Sequence, residues 1–192
     1  MIKHIISIGL FLSLGLSATA FAEDNIPDRK MRLHMGFEHW YGDSFRRADT
    51  GFKDDSLALG INYPLPISWI EFLLRYEWAT IKADPAQKDF SEFNNQHIDF
   101  VTTGFALTKI LNSGAQTVAL SAMPMGLLWV KVNGHGESIG ESMGFNIDWL
   151  FDGRTGMFLD TRYQKYQLRR LDGSWMDTQN DASIAVGVVT RL

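Results

Sequence analysis

From Lys30 to its last residue the sequence alternates apolar and polar side chains, and this period of two constrains the fold more than any other feature. Successive side chains of a strand point to opposite faces, so a chain patterned this way builds half-buried β-sheet. Between residues 30 and 41, Met31, Leu33, Met35 and Phe37 fall on one face. Arg32, His34, Gly36 and Glu38 fall on the other. The same pattern returns with Leu57, Leu59, Ile61 and Tyr63, and then with Ile70, Phe72, Leu74, Tyr76 and Trp78. It recurs with Met143, Phe145, Ile147 and Trp149, with Met157, Leu159, Thr161 and Tyr163, and with Ile184, Val186, Val188, Thr190 and Leu192. Two further strands are less regular. In the fourth, His97 and Asp99 are expected to face inward together, with the alternation slipping near 101–105. The fifth starts on Val118, Leu120 and Ala122 and changes face near Met123-Pro124 to give Met125, Leu127 and Trp129. A β-bulge at that proline explains the change of face. The expected fold is therefore all-β, an eight-stranded antiparallel up-and-down barrel.

The first residues carry a different signal. Lys3 and His4 precede an apolar stretch from Ile5 to Leu16, and Ala20-Phe21-Ala22 supplies a small-x-small cleavage pattern. Residues 1–22 read as a cleaved signal peptide and 23–192 as a single barrel domain. With no cysteine, disulfides, thiolate metal sites and lipid attachment through cysteine are all excluded. The formal net charge is -4 and no basic stripe is present, so nucleic acid is not an expected partner. No apolar stretch beyond the first residues is long enough for a spanning helix. If this chain crosses a membrane it does so as a closed barrel, because only helices and barrels satisfy every backbone group in lipid.

Alternation alone leaves two barrels open: a soluble, lipocalin-like periplasmic binding barrel with the apolar face inward, or a transmembrane barrel with it outward. Loop lengths favour the second. Long polar connections are expected over 42–55, 82–95, 131–141 and 167–181, with short turns between them, as in outer-membrane barrels. Aromatic residues favour it too. Trp40, Tyr41, Trp78 and Trp129 enter the long loops, while Tyr63, Trp69, Trp149 and Phe151 flank short turns. Two such rows match the aromatic girdles at the two lipid interfaces. The polar face carries Glu38, Glu71, Glu77, Asp99, Asp148 and Asp160 against Arg32, Arg75, Arg162 and Arg191. An eight-stranded barrel is just wide enough to be filled by side chains. Near-balanced charges packed there would pair, giving a plugged polar lumen.

This pattern resembles the small eight-stranded outer-membrane barrels of the OmpA, OmpX and OmpW type. The resemblance is architectural and spans nearly all of residues 23–192. It implies the Gram-negative outer membrane as location, with membrane lipids, lipopolysaccharide and the barrel-assembly machinery as partners, and a monomer. In those families the final strand commonly ends in an aromatic residue that the assembly machinery recognises; here it ends in Leu192.

No residue is assigned a catalytic, cofactor-binding or metal-binding role. The region 153–168 resembles that of lipid A deacylases, but Arg162-Tyr163-Gln164-Lys165 stands where their His-Tyr-Ser-Asn signature would be. His39, Asp43 and Ser44 supply the residue types of palmitoyltransferase barrels, but all in one place. His135, Glu137, Ser138 and Glu141 belong to a glycine-rich loop, which a triad or metal site would need to be rigid. The expected role is a non-enzymatic barrel whose surface loops make envelope contacts. A lipid A-modifying acyltransferase or deacylase is the alternative.

Overall fold

The computed structural model describes residues 30–42, 56–81, 92–133 and 135–192. The expected signal peptide, the first long loop over 43–55 and most of the second over 82–91 lie outside these residues.

Eight strands follow one another around a closed antiparallel barrel, each bonded to its neighbours in sequence and the last to the first. They are β1 (Arg32–Gly42), β2 (Ser56–Pro64), β3 (Ile70–Thr80), β4 (His97–Ser113), β5 (Gln116–Val132), β6 (Glu137–Leu150), β7 (Thr155–Tyr166) and β8 (Gln179–Arg191). Closure is made by β1 and β8, paired from Arg32↔Arg191 to Gly42↔Asp181. With every strand paired on both sides, the sheet has no lateral edge.

The apolar rows face outward. Phe37 is 62% exposed, and Leu59, Leu74, Phe145, Leu159 and Val186 are exposed around the same wall. The inward rows are charged or small: Arg32, Glu38, Glu71, Arg75, Glu77, Asp148, Asp160 and Arg162 are all buried. A lipocalin-like barrel would have the opposite polarity, so the soluble alternative is overturned.

The change of face in β5 is a bulge at the expected place. Against β4, the register passes from Gly104↔Gly126 to Leu107↔Ala122. Against β6, it passes from Met123↔Gly144 to Gly126↔Ser142. In both pairings β5 carries the extra residue. Pro124 has no N–H for the ladder, and both Pro124 and Met125 are exposed. Below the bulge Thr117, Ala119, Ser121 and Met123 point inward; above it Gly126, Leu128, Val130 and Val132 do. Pairing resumes on both sides, so the irregularity opens no gap in the wall.

Three expectations need correction. The connection after β5 is not long, because β5 runs to Val132 and β6 begins at Glu137, with Lys131 paired to Glu137. Trp40 is not a girdle residue: it is buried inside the barrel at 6% exposure. His97 and Asp99 do not face inward; Ile98 and Phe100 do, both fully buried.

Candidate functional site: the barrel interior and its outer cap

Three layers of side chains occupy the interior. The layer nearest the short-turn end is built on Arg32. Its guanidinium lies 2.6 Å from Glu71 Oε2 and 2.7 Å from Asp148 Oδ2, joining β1 to β3 and to β6. His34 Nε2 lies 2.9 Å from the other Asp148 oxygen. Glu71 also accepts from Thr108 Oγ1 at 2.9 Å and from Asn62 Nδ2 at 3.3 Å, and Asp148 from Asn146 Nδ2 at 2.6 Å.

The central layer is built on Arg75 and Arg162. Arg75 lies 2.9 Å from Glu77 and 3.1 Å from Asp160, with Glu38 at 4.0 Å. Arg162 lies 3.2 Å from Glu77 and 2.9 Å from Asp160. Gln164 Nε2 donates to Glu77 at 2.7 Å. Each guanidinium therefore serves at least two carboxylates. A planar, permanently charged fork is suited to that role.

The expected near-balance of charge does not hold. Asp99 is on the outer wall, where it accepts from Tyr76 Oη at 2.7 Å, and Arg191 sits half-buried at the rim. Asp181 joins the buried acids and accepts from the Tyr166 hydroxyl. Buried carboxylates thus outnumber guanidinium groups. Hydroxyl, amide and imidazole donors add partners for Glu71, Glu77, Asp148 and Asp181.

Above Glu38 the interior turns apolar. Trp40 stacks on Phe100 with centroids 4.6 Å apart, and Phe100 meets Tyr166 edge-on at 5.3 Å. Ile98, Leu128, Val130 and Val132 complete this cluster from β4 and β5, and loop residues Ile81, Phe93, Leu168 and Met176 close over it. The loops are tied to one another. Arg170 Nη1 donates to Glu92 at 3.2 Å, and the His135 ring lies 4.4 Å from that of Phe93. The β7–β8 loop doubles back as a small hairpin through an Arg169↔Trp175 bridge. Asp172 accepts there from the Ser174 hydroxyl at 2.6 Å and its N–H at 2.8 Å, which hold its carboxyl below the ordinary value.

The residues that sequence reasoning weighed for chemistry are dispersed. His39 packs edge-on against Tyr41 at 4.6 Å, while Asp43 and Ser44 lie outside the described residues. His97 stacks on Trp78 at 4.8 Å on the outer wall. Glu137 engages Lys131 at 3.5 Å and Trp129 Nε1 at 3.1 Å, and Ser138 turns inward and is buried. Arg162 and Gln164 of the deacylase-like stretch belong to the central layer. The His34–Asp148 contact was not anticipated. These residues lie far apart in sequence, and only their shared inward parity hinted at it.

No protein-family model and no curated protein matches the sequence. Solved structures do match. One is Neisserial surface protein A (NspA), at 13% identity and a TM-score of 0.50, covering 84% of this chain and 97% of that one. Another is the outer membrane protein Ail of Yersinia pestis in a phospholipid bilayer nanodisc, at 12% identity and a TM-score of 0.45, covering 85% and 99%. The chain has the fold of the small eight-stranded outer-membrane β-barrels.

Proposed function

We propose that the chain is a monomeric integral protein of the Gram-negative outer membrane, non-enzymatic, with a sealed lumen and external loops that contact lipopolysaccharide or surface partners. Residues 1–22 would direct export, and the barrel-assembly machinery would insert residues 23–192. One observation carries this reading: an exposed apolar wall encloses an interior of paired charges beneath an apolar cap. The wall suits lipid, where closed barrels are tolerated because no backbone group is left unpaired. Water-filled passage would need a continuous polar path, and the Trp40–Phe100 cluster stands across it. The His34–Asp148 pair is too buried to reach a substrate in this arrangement.

Planar-bilayer recording of the purified protein tests the sealed lumen. The expected trace has no stable single-channel steps, and a large, stable conductance would overturn the reading. Mass spectrometry of lipid A from cells with and without the gene tests the non-enzymatic role. The spectra are expected to coincide, and a reproducible change in acyl chains would replace this reading with a lipid-modifying one.

A further inference from the structure

The closed wall leaves no strand unpaired, but at the short-turn end β4 outruns β3. The β3–β4 ladder ends at Ile70↔Leu107, with one further bond from the Thr108 N–H to the Trp69 carbonyl at 2.8 Å. The β4–β5 ladder continues to Ser113↔Gln116. The sequence explains why β3 starts no earlier. Pro64 and Pro66 have no N–H to offer a ladder, and the β2–β3 turn closes on itself. Its Leu65 N–H donates to the Ile70 carbonyl, and its Ile70 N–H to the Ile67 carbonyl, both at 3.1 Å.

Alternation fixes where the overhanging backbone points. The Thr108 N–H is aimed at the β3 side, so the N–H and C=O groups of Ile110 and Asn112 are aimed the same way, while those of Lys109, Leu111 and Ser113 serve β5. Among the described residues, no backbone group bonds to those of Ile110 and Asn112 on that side. The Asn112 side chain does not cover them, because its Oδ1 accepts from the Thr117 hydroxyl of β5 at 2.9 Å. Trp69 and Leu111 lie exposed along the same edge. Hydrocarbon does not satisfy bare backbone groups. On the membrane placement proposed above, this tip therefore stands in the periplasm, with the exposed Lys109 at the lipid boundary.

An open strand edge is a template for an extended polypeptide. A second copy of this chain does not fit it. Strands of such barrels tilt by about 35–45°. Two copies related by an axis along the bilayer normal would bring their β4 strands together crossed by twice that angle, and a ladder needs them aligned. Charge narrows the choice further. The described turns and strand ends on this side carry Lys30, Lys109, Arg154 and Arg191. Asp152 is the acidic side chain among them, and its carboxylate is held by the Arg154 and Thr155 N–H groups. We infer that the inner end of β4, residues 108–113, takes up an extended acidic segment of a periplasmic protein as an added strand. The inference rests on the proposed membrane placement for the compartment, and on the ladder itself for the edge.

A fluorescein-labelled peptide alternating valine and glutamate, titrated with the detergent-purified barrel and read by fluorescence anisotropy, tests this. Saturable binding is expected, with loss of binding when lysine replaces glutamate. An added strand bonds through one edge. N-methylation of one alternate set of peptide residues should therefore abolish binding, and methylation of the other set should leave it. Ile110→Pro removes a donor that β5 does not use, a change that strand edges tolerate, and should also abolish binding. No saturable binding, equal effects of the two methylated peptides, or binding undiminished by Ile110→Pro would overturn the edge. Equal binding of the lysine peptide would overturn the acidic assignment. If Ile110→Pro does not fold, the methylated pair decides the matter on the native barrel. Self-association of the barrel that Ile110→Pro dissolves would make a second copy the occupant and overturn the proposal. Because the titration is run in detergent, failure of the protein to enter bilayers would refute the membrane placement separately, with the edge still judged by the peptides.

Discussion

Trp40 lies flat against Phe100, with ring centroids 4.6 Å apart and planes 21° from parallel, and its indole Nε1 donates to Ser56 Oγ at 2.9 Å. Three strands thus converge on one buried indole at the outer end of the barrel. Trp40→Ala removes the stack and the hydrogen bond and leaves a cavity that the strands cannot close. The expected cost is about 3–5 kcal/mol, as for large buried aromatics. Guanidinium titration of the refolded barrel in liposomes would measure it, and a loss under about 1 kcal/mol would mean that the cap collapses around the gap.

Arg75 carries the central layer. Replacing it with methionine keeps much of the volume but takes from Glu38 its nearest guanidinium and leaves Glu77 and Asp160 to share Arg162 alone. Removing one side of a buried ion pair costs about 3–5 kcal/mol. Adding Glu77→Gln to Arg75→Met should recover part of the loss, because one of the two carboxylates left sharing Arg162 goes with it. The same titration reads both variants, and purely additive losses would show that the layer is not electrostatically coupled.

The orientation of the wall can be tested with two adjacent residues of β6. Phe145 is exposed and Asn146 is buried. Phe145→Arg places a charge in lipid and should cost about 2–4 kcal/mol near the bilayer middle, less towards an interface. Asn146→Arg instead crowds an interior that already holds Arg32 and Asp148. Its penalty should persist when the protein is transferred from lipid to detergent, whereas that of Phe145→Arg should shrink. Matching behaviour of the two would contradict the assignment of faces.

Asp152 gives the β6–β7 turn a dependence on pH. Its carboxylate accepts from the Thr155 N–H at 2.7 Å and the Arg154 N–H at 2.8 Å, which hold its pKa below the ordinary value. Gly153 completes the turn with φ at +74°, a conformation that favours glycine. A carboxyl whose folded pKa is depressed contributes stability above its unfolded value, about 3.9. That contribution disappears as pH falls through the lower folded value. Unfolding midpoints of the native protein and Asp152→Ala should therefore differ by a constant amount at neutral pH and converge in strong acid. A difference that does not vary with pH would assign the effect to turn geometry alone.

Much of the wall was legible from alternation. Leu57 to Tyr63, Phe72 to Trp78 and Met143 to Trp149 all face outward as their period requires, and Pro124 marked the bulge. The errors over Trp40, His97 and Asp99 share one cause. Through most of the barrel the inside is polar and the outside apolar, but at the outer end this reverses. There the interior holds Trp40, Ile98 and Phe100, while the outside carries His97, Asp99 and Lys131. A rule that sends polar side chains inward gives the wrong face beyond that level. The ion pairs were illegible for another reason: parity places Arg32, Glu71 and Asp148 on one face without giving their heights. Only the register of the intervening strands brings them level.

The interior charges also restrict how the barrel can come into being. Arg32 on β1 needs Glu71 on β3 and Asp148 on β6, and Arg75 on β3 needs Asp160 on β7. None of these partners sits on an adjacent strand. Although Arg75 pairs with Glu77 within β3 and Arg162 with Asp160 within β7, no single hairpin supplies the ion pairs of Arg32, Glu71 and Asp148. An open sheet would present bare carboxylates and guanidinium groups along one whole face, which hydrocarbon does not solvate. The polar face must therefore stay in contact with water, or with another protein, until β1 meets β8. Entry into lipid cannot run ahead of closure, and that order is set by residues that line the interior.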